Sequence, residues 1–158
     1  MNEEEFKKLI DNDKYQVFLF SSPVPIPTNV FVHTWFVINL RGRISRWEFG
    51  RFQGSPHNNG IGVLKDFFKK TEGMNIYFWK IKPRFKSKLI DFIEGDDKSM
   101  AKELAIFIDE YSYSYPLKAQ YFLTGPNSNS FMQWILNKYP DAKMKLPYNA
   151  IGKDYTVL

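Results

Sequence analysis

The clearest hydrophobic pattern runs through residues 29–40, where a strand would be apolar on both faces. Its alternate positions divide into two sets: Val30, Val32, Thr34, Phe36, Ile38 and Leu40 on one face, and Phe31, His33, Trp35 and Val37 on the other. Because strands covered on both sides carry apolar residues on both faces, we expect this strand to be central in a sheet. The turn Arg41-Gly42-Arg43 and the apolar return over residues 44–52 predict a hairpin, with glycine supplying the positive φ.

Helical spacing of apolar residues appears in three further segments, residues 3–11, 99–111 and 129–139. Ser99 is a candidate N-cap for the second of these helices, and Pro140 stops the third.

The remaining apolar segments are shorter. Residues 15–21 and 75–82 have the composition of strands, residues 63–70 and 85–93 fit short helices, and residues 117–123 fit an extended segment. The mixture predicts one α+β domain over residues 1–158, with a small, mainly antiparallel sheet packed with helices. A chain of 158 residues with 44% hydrophobic residues is large enough to bury a core of its own.

The composition excludes several kinds of functional site. The chain has no cysteine and only two histidines, so it offers no disulfide, no thiolate nucleophile and no cysteine or multi-histidine metal site. We therefore expect no metal and no cofactor. The sequence has no run of about 20 apolar residues, so no transmembrane segment is expected. Its acidic, polar start differs from a secretory signal and favours a cytoplasmic location.

Basic residues are concentrated between positions 65 and 88. The cluster consists of Lys65, Lys69, Lys70, Lys80, Lys82, Arg84, Lys86 and Lys88, opposed by Asp66 and Glu72. Such a stripe is compatible with a surface that binds nucleic acid or anionic lipid. Its interleaving with apolar positions is more typical of the solvated side of half-buried elements, so we do not expect nucleic acid as the main partner.

Two features carry candidate chemistry: His33, between Phe31 and Trp35, and the polar turn over residues 124–131 that opens a helix. The start of a helix presents unpaired N–H groups and the positive end of the helix dipole, which suit a nucleophile or an oxyanion. If His33 reaches Ser128, its imidazole could take the hydroxyl proton during attack on a carbonyl. The structural alternatives are an N-cap at Asn127 or Ser128 and a core histidine with one satisfied nitrogen.

Several blocks of this sequence resemble a known bacterial family. They are Val32-His33-Thr34-Trp35-Phe36-Val37, Arg46-Trp47-Glu48-Phe49-Gly50, Gly125-Pro126-Asn127-Ser128-Asn129-Ser130-Phe131, Leu146-Pro147 and Ala150-Ile151-Gly152-Lys153-Asp154-Tyr155. In this order they resemble the domain-of-unknown-function family numbered 3750. That resemblance implies no established activity.

A more distant resemblance is to circularly permuted papain-like proteins, such as the NlpC-type peptidases and the lecithin–retinol acyltransferase-like proteins. It implies that Ser128 stands at the cysteine position, that Asn127 precedes the nucleophile, and that His33 is the base. Backbone N–H groups near Ser128 and Asn129 would be the oxyanion donors. The expected substrate is an acyl or amide group of a small molecule, peptide or lipid. A serine hydroxyl is a weaker nucleophile than a thiolate, so an inactive papain-like interaction domain is the alternative. The oligomeric state stays open.

The third member of a catalytic triad can be sought by counting along the hairpin. A two-residue turn at Gly42 and Arg43 would place Glu48 on the face of His33 but opposite Val37, about 13 Å away at roughly 3.3 Å per residue. A three-residue turn would move Glu48 to the other face. Only a β-bulge would then bring Glu48 to His33. The other polar candidates are Arg51, Gln53 and His57.

Overall fold

A five-stranded antiparallel sheet forms the middle of the protein, and the strand over residues 32–40 lies at its centre. The structure is a computed structural model that describes residues 1–25, 30–75 and 84–155. Its strands are β1 (Tyr15–Pro23), β2 (Val32–Leu40), β3 (Arg43–Arg51), β4 (Ile61–Lys65) and β5 (Lys88–Gly95), in the spatial order β4-β3-β2-β1-β5. Its α-helices are α1 (Glu3–Lys7), α2 (Met100–Tyr111) and α3 (Ser128–Leu136). The α+β class, the antiparallel sheet and the central strand are as the sequence predicts.

Helices α2 and α3 cover one face of the sheet. The core on that face joins Phe36 and Ile38 of β2 to Leu104 of α2 and Phe131 of α3. The opposite face carries a second cluster, in which Trp35 and its neighbours pack against Phe6 of α1. The alternation along β2 thus separates two cores, which explains why both of its faces are apolar.

The β2–β3 hairpin closes through a two-residue turn at Arg41 and Gly42. Both residues have positive φ, 52° and 90°, which matches the type I′ turn that suits the twist of paired strands. Leu40 pairs with Arg43, and the pairing continues as far as Phe36 with Trp47. This register determines which side chains of the two strands can meet.

Beyond the pair of Phe36 with Trp47, the ladder between β2 and β3 ends, and each strand continues beside other parts of the chain. β3 continues along β4 as far as the pair of Arg51 with Ile61. On β2, the carbonyl of Val32 accepts a hydrogen bond from the Asn129 side-chain amide at 2.9 Å, and the Val32 N–H donates to the carbonyl of Asn149 at 3.4 Å. The start of α3 and residues near 149 therefore bind β2 where the β2–β3 ladder has ended.

Three sequence predictions of secondary structure are wrong. Residues 63–70 do not form a helix, since β4 covers Ile61–Lys65, and residues 85–93 are not helical, since β5 covers Lys88–Gly95. Short apolar runs fit either structure, and here the open edges of β3 and β1 supply the backbone partners that make both segments strands. Residues 117–123 form no strand: residues 117–119 and 123 lie in turns, and residues 120–122 have no regular secondary structure.

The other predicted elements correspond to observed ones. Helix α2 begins after Ser99, whose hydroxyl accepts from the N–H of Lys102. The first helix ends at Lys7 and is thus shorter than predicted. Of the strand predicted over residues 75–82, only Asn75, which forms a bridge with Arg84, falls within the described residues. None of the helices described in the three ranges is both long and apolar enough to cross a membrane.

Replacement of Gly42 by alanine should destabilise the hairpin without a steric clash. A Cβ at this position would lie 3.5 Å from the Asn12 side chain, an ordinary contact, but φ is +90°. We expect a loss of about 1–2 kcal/mol in the free energy of unfolding, measured by urea denaturation, because alanine adopts left-handed conformations only at that cost. Gly42→Asn is the control, since asparagine tolerates positive φ and should recover most of the loss. Equal losses in both variants would contradict the turn assignment.

Candidate functional site

Glu48 binds the imidazole of His33 in the interior of the protein. The Nε2 atom of His33 lies 2.8 Å from Oε2 of Glu48, and both side chains are at most 2% exposed. The second ring nitrogen, Nδ1, makes no hydrogen bond within the part of the chain that the structure describes. A carboxylate on one nitrogen fixes the proton there and leaves the lone pair of the other nitrogen available.

The position of the turn brings Glu48 to His33, and it corrects the count made from the sequence. The turn lies at Arg41 and Gly42, one residue earlier than assumed there, and Phe36 pairs with Trp47. Continued along the strands, this register places Glu48 opposite Trp35, diagonally next to His33 on the same face. Diagonal neighbours are about 7–8 Å apart at the backbone, which a glutamate and a histidine side chain can bridge. No bulge is required.

Arg46 completes a buried charged cluster with Glu48 and His33. Its Nε lies 2.8 Å from Oε1 of Glu48, and its NH2 nitrogen lies 3.1 Å from Oε2, which makes the ion pair bidentate. Both side chains are 1% exposed. Burial by itself would raise the pKa of Glu48, but Arg46 and then His33 outweigh it, so the pKa of Glu48 lies below its ordinary value. Glu48 is therefore a carboxylate at neutral pH, with its charge balanced inside the protein.

The other candidates for the third member of a catalytic triad form no hydrogen bond with His33 in the described structure. Nε2 of His57 is 2.7 Å from the carbonyl of Val63, a contact within the β4 region. Arg51 and Gln53 are exposed. Arg46 was not a candidate on sequence grounds. Its place two residues before Glu48 on the same strand was the available signal, because alternate residues of a strand share a face.

Asn127, not Ser128, is the N-cap of α3. The Asn127 side-chain oxygen accepts from the N–H groups of Asn129 at 2.9 Å and Ser130 at 3.2 Å. The N–H of Asn129, expected as an oxyanion donor, is therefore already engaged. The hydroxyl of Ser128 takes part in no hydrogen bond among the described residues, although the side chain is only 3% exposed.

His33 and Ser128 line the same small cavity at the start of β2. Its volume is about 70 Å³, and its walls include Phe31, Met74 and Ile151. The two residues reach it from different directions. Thr34 faces α3 and donates its hydroxyl proton to Oδ1 of Asn129 at 2.7 Å, so the preceding residue, His33, leaves β2 on the other face. They meet at this cavity because β2 has separated from β3 there.

Within the described ranges, no three His, Asp or Glu side chains converge as a metal site would require. The charged atoms beside His33 are instead those of one carboxylate and one guanidinium, which neutralise each other. The described lining of the cavity therefore includes the imidazole of His33, the hydroxyl of Ser128 and the phenol of Tyr121.

The chain matches the family model "Protein of unknown function (DUF3750)" over residues 14–155. The chain belongs to this family. No curated protein and no solved structure matches the chain. Membership in DUF3750 carries no activity with it.

Two DUF3750 sequence blocks, residues 125–131 and 150–155, bind each other through side chains of the first and backbone of the second. The carbonyl of Ile151 accepts from the side-chain amides of Asn127 at 3.1 Å and Asn129 at 2.9 Å, and the carbonyl of Gly152 accepts from the Ser130 hydroxyl at 2.6 Å. A Cβ on Gly152 would lie 2.5 Å from the Asn127 amide, so the approach requires glycine. The side chains of Asn127, Asn129 and Ser130 thus hold the two blocks together, whereas the Ser128 hydroxyl between them makes no hydrogen bond among the described residues.

Alanine substitutions should separate these roles. In this DUF3750 protein, Asn129→Ala would leave the Thr34 hydroxyl and the Val32 carbonyl without their partner, and the Ile151 carbonyl would keep only the Asn127 amide. Each such buried group costs about 1–3 kcal/mol, and we expect a total loss of about 2–4 kcal/mol in the free energy of unfolding. Ser128→Ala is the matched control on the same helix and should change stability by less than about 1 kcal/mol. A large loss in Ser128→Ala would show that its hydroxyl has a structural partner.

The lowered pKa of Glu48 predicts a dependence of stability on pH. An unfolded glutamate titrates near pH 4.3, so the stabilisation is complete above about that pH and is lost as the pH falls through the lower folded pKa. Urea unfolding between pH 7 and 3 measures it. Glu48→Gln should be less stable at pH 7 by about 3–5 kcal/mol, because Arg46 loses its partner. Its stability should also fall less steeply with acid. Parallel curves for the two proteins would contradict this origin.

Proposed function

We propose that this DUF3750 chain is a serine-dependent hydrolase or acyltransferase that acts on an acyl or amide group in a papain-like cleft. Ser128 is the nucleophile, His33 the general base and Glu48 the residue that orients the base. One observation supports this most. A buried imidazole whose Nε2 is held by a carboxylate shares a cavity with a hydroxyl that makes no hydrogen bond among the described residues. Such a chain of nucleophile, base and orienting carboxylate activates serine in unrelated folds.

The reaction would proceed in two steps. As the Ser128 oxygen attacks the carbonyl carbon, its proton passes to Nδ1 of His33, and the carbonyl oxygen becomes an oxyanion. The tetrahedral intermediate then expels the alcohol or amine, which takes the proton from His33 and leaves an ester on Ser128. Water or a second acceptor attacks that ester by the same route, which completes hydrolysis or transfer.

The oxyanion would lie at the start of α3. The N–H of Asn129 already donates to Asn127, so the proposed donor is the N–H of Ser128, the first residue of the helix. The first N–H groups of a helix have no partner within it, and the helix dipole adds positive potential at the same end. Together they favour the negative charge that develops on the carbonyl oxygen.

The walls of the cavity indicate the character of the reacting group. Among the described residues that line it, no side chain is an Asp, Glu, Lys or Arg, and Phe122 and Leu123, each more than half exposed, stand at its rim. The cavity of about 70 Å³ accepts a small group of atoms. An uncharged acyl or amide carbon fits these walls better than a charged group, which would lose its hydration without a partner.

Labelling with a fluorophosphonate probe tests the proposal. We expect the wild-type protein to be modified at Ser128, as located by peptide mass spectrometry. His33→Gln should slow labelling by about 10²–10⁴-fold, the usual contribution of a general base. Ser128→Ala should abolish labelling. Ser130→Ala is the matched control, since that hydroxyl binds the Gly152 carbonyl and should not be the labelled group. Wild-type protein that stays unlabelled at high probe concentration would remove the enzyme claim.

Ser128→Cys provides a second measurement that does not depend on native activity. The natural chain has no cysteine, so this variant has a single thiol. If His33 is within reach, it should promote thiolate formation, and alkylation by iodoacetamide near pH 7 should be faster than that of the same variant with His33→Gln. Equal rates would show that the imidazole does not reach position 128.

A second candidate is a papain-like interaction domain without catalysis. The alternation of β2 favours it, because it directs the His33 ring away from the sheet face on which α3 packs. The low exposure of His33 and Ser128, 2% and 3%, also favours it. On this hypothesis the exposed rim residues Phe122 and Leu123 would contact a partner. An unlabelled Ser128, together with equal alkylation rates in the cysteine variants, is its expected result.

The basic region supports the third hypothesis, binding of nucleic acid or anionic lipid, less well. Lys65 pairs with Asp109 at 2.8 Å, Arg84 pairs with Glu72 at 2.6 Å, and Lys70 pairs with Asp66. Lys80 and Lys82 lie outside the described residues. Ion pairs reduce the net charge that a phosphate would meet, which favours the cavity over this surface as the site of function.

A further inference from the structure

The guanidinium of Arg46 makes several contacts besides its ion pair with Glu48. Besides the two contacts to the carboxylate, its NH1 nitrogen donates to the carbonyls of Lys69 at 2.7 Å and Glu72 at 2.6 Å. Its guanidinium carbon lies 4.1 Å from the centre of the Trp35 ring. Trp35 is also the residue on which the His33 ring stacks, at 5.8 Å between centroids. The guanidinium is therefore fixed in position relative to both members of the His33–Glu48 pair.

We propose that Arg46 is a positioning residue that keeps Nδ1 of His33 free of a proton, and so keeps the base ready to accept the proton of Ser128. This role rests on the proposed function for its purpose, but its chemistry can be tested apart from it. The argument is one of charge. Arg46 carries +1, Glu48 carries −1, and a neutral His33 leaves the buried cluster uncharged. A further proton would leave a net positive charge in the interior, which burial disfavours.

Without Arg46, the same cluster would attract a proton. A carboxylate buried without a counter-charge recovers neutrality in one of two ways. The proton binds His33 to give an imidazolium, or it binds Glu48, whose O–H then donates to Nε2 and shifts the ring hydrogen to Nδ1. Both outcomes put a proton on Nδ1. The lone pair that would receive the serine proton is lost in either case.

The other charged groups near the cluster do not replace Arg46. Asp66 accepts the backbone N–H of Arg46 and pairs with Lys70, and Glu72 pairs with Arg84. Glu72 and Arg84 act on the charge of Arg46 in opposite directions. On the cavity side of His33, the described lining contains no other charged side chain. Arg46 is thus the cation that balances Glu48 within this part of the structure.

The decisive variant is Arg46→Met, which keeps much of the length of the side chain and removes the charge. Long-range ¹H–¹⁵N correlation spectra of the imidazole nitrogens report which of them carries a proton. In the wild type at pH 7 we expect a protonated Nε2 and a bare Nδ1 on His33. In Arg46→Met we expect a protonated Nδ1, and fluorophosphonate labelling of Ser128 at least about 100-fold slower, as for loss of a general base.

The double variant Arg46→Met/Glu48→Gln separates charge from packing and guards against a single variant that fails to fold. It removes both charges, so no extra proton is expected, and the amide carbonyl of the glutamine can accept the Nε2–H bond. Replacement of a buried ion pair by neutral groups is tolerated better than loss of one partner. We expect partial recovery of the bare Nδ1 and of labelling. Arg46→Lys, which keeps the charge, should retain the wild-type proton position.

The outcomes distinguish the two proposals. A bare Nδ1 in Arg46→Met at neutral pH, or a double variant with Nδ1 as fully protonated as in the single variant, would overturn the role of Arg46. Unlabelled wild-type protein with the expected proton positions would instead remove the serine enzyme and leave the charge role intact. Circular dichroism of each variant confirms that folded proteins are being compared.

Discussion

The buried carboxylate of Glu48 is the constraint on which this side of the molecule depends. An ion taken out of water is stable only with a partner of opposite charge and with its hydrogen bonds filled. Glu48 meets that requirement through Arg46 and His33 at once. Arg46 in turn binds the carbonyls of Lys69 and Glu72, so the chain that follows β4 is fixed against the sheet by the same charge. That segment leads to Met74, which forms part of the cavity wall.

On the other face, the start of α3 is fixed by neutral hydrogen bonds. Asn129 joins three parts of the chain, since its side chain contacts Thr34, the Val32 carbonyl and the Ile151 carbonyl. Asn127 caps the helix and also binds Ile151. The asparagines that a papain-like comparison would place in a catalytic centre therefore first serve to hold Ser128 at the cavity. A nucleophile needs such fixed neighbours, because small displacements of a reacting group greatly reduce the rate of catalysis.

The sequence predicted the features that depend on residues close together in the chain. It did not predict the contacts that depend on the register between strands. The two apolar faces of β2 predicted a central strand, and Ser99 predicted the start of α2, because periodicity and capping depend on nearby residues. The link from His33 to Glu48 depended on which two residues form the turn. A shift of the turn by one position moves the residue opposite Glu48 from Val37 to Trp35, which changes the expected separation from out of reach to adjacent. Residues 61–65 and 88–95 were equally ambiguous, because their strand partners lie far away in the sequence.

The combination of serine with this cluster has a chemical consequence. In a papain-like centre with cysteine, thiol and imidazole can exchange a proton before the substrate binds, and a neutral asparagine is enough to orient the ring. A serine hydroxyl gives up its proton only during attack, so a carboxylate that stabilises the new imidazolium is of greater value. In the proposed mechanism, Glu48 would supply that carboxylate. In the proposed mechanism Arg46 would weaken that stabilisation, since its positive charge opposes that of an imidazolium in the same buried cluster. The same charge is the one that, in our proposal, keeps Nδ1 of His33 free to accept the proton of Ser128.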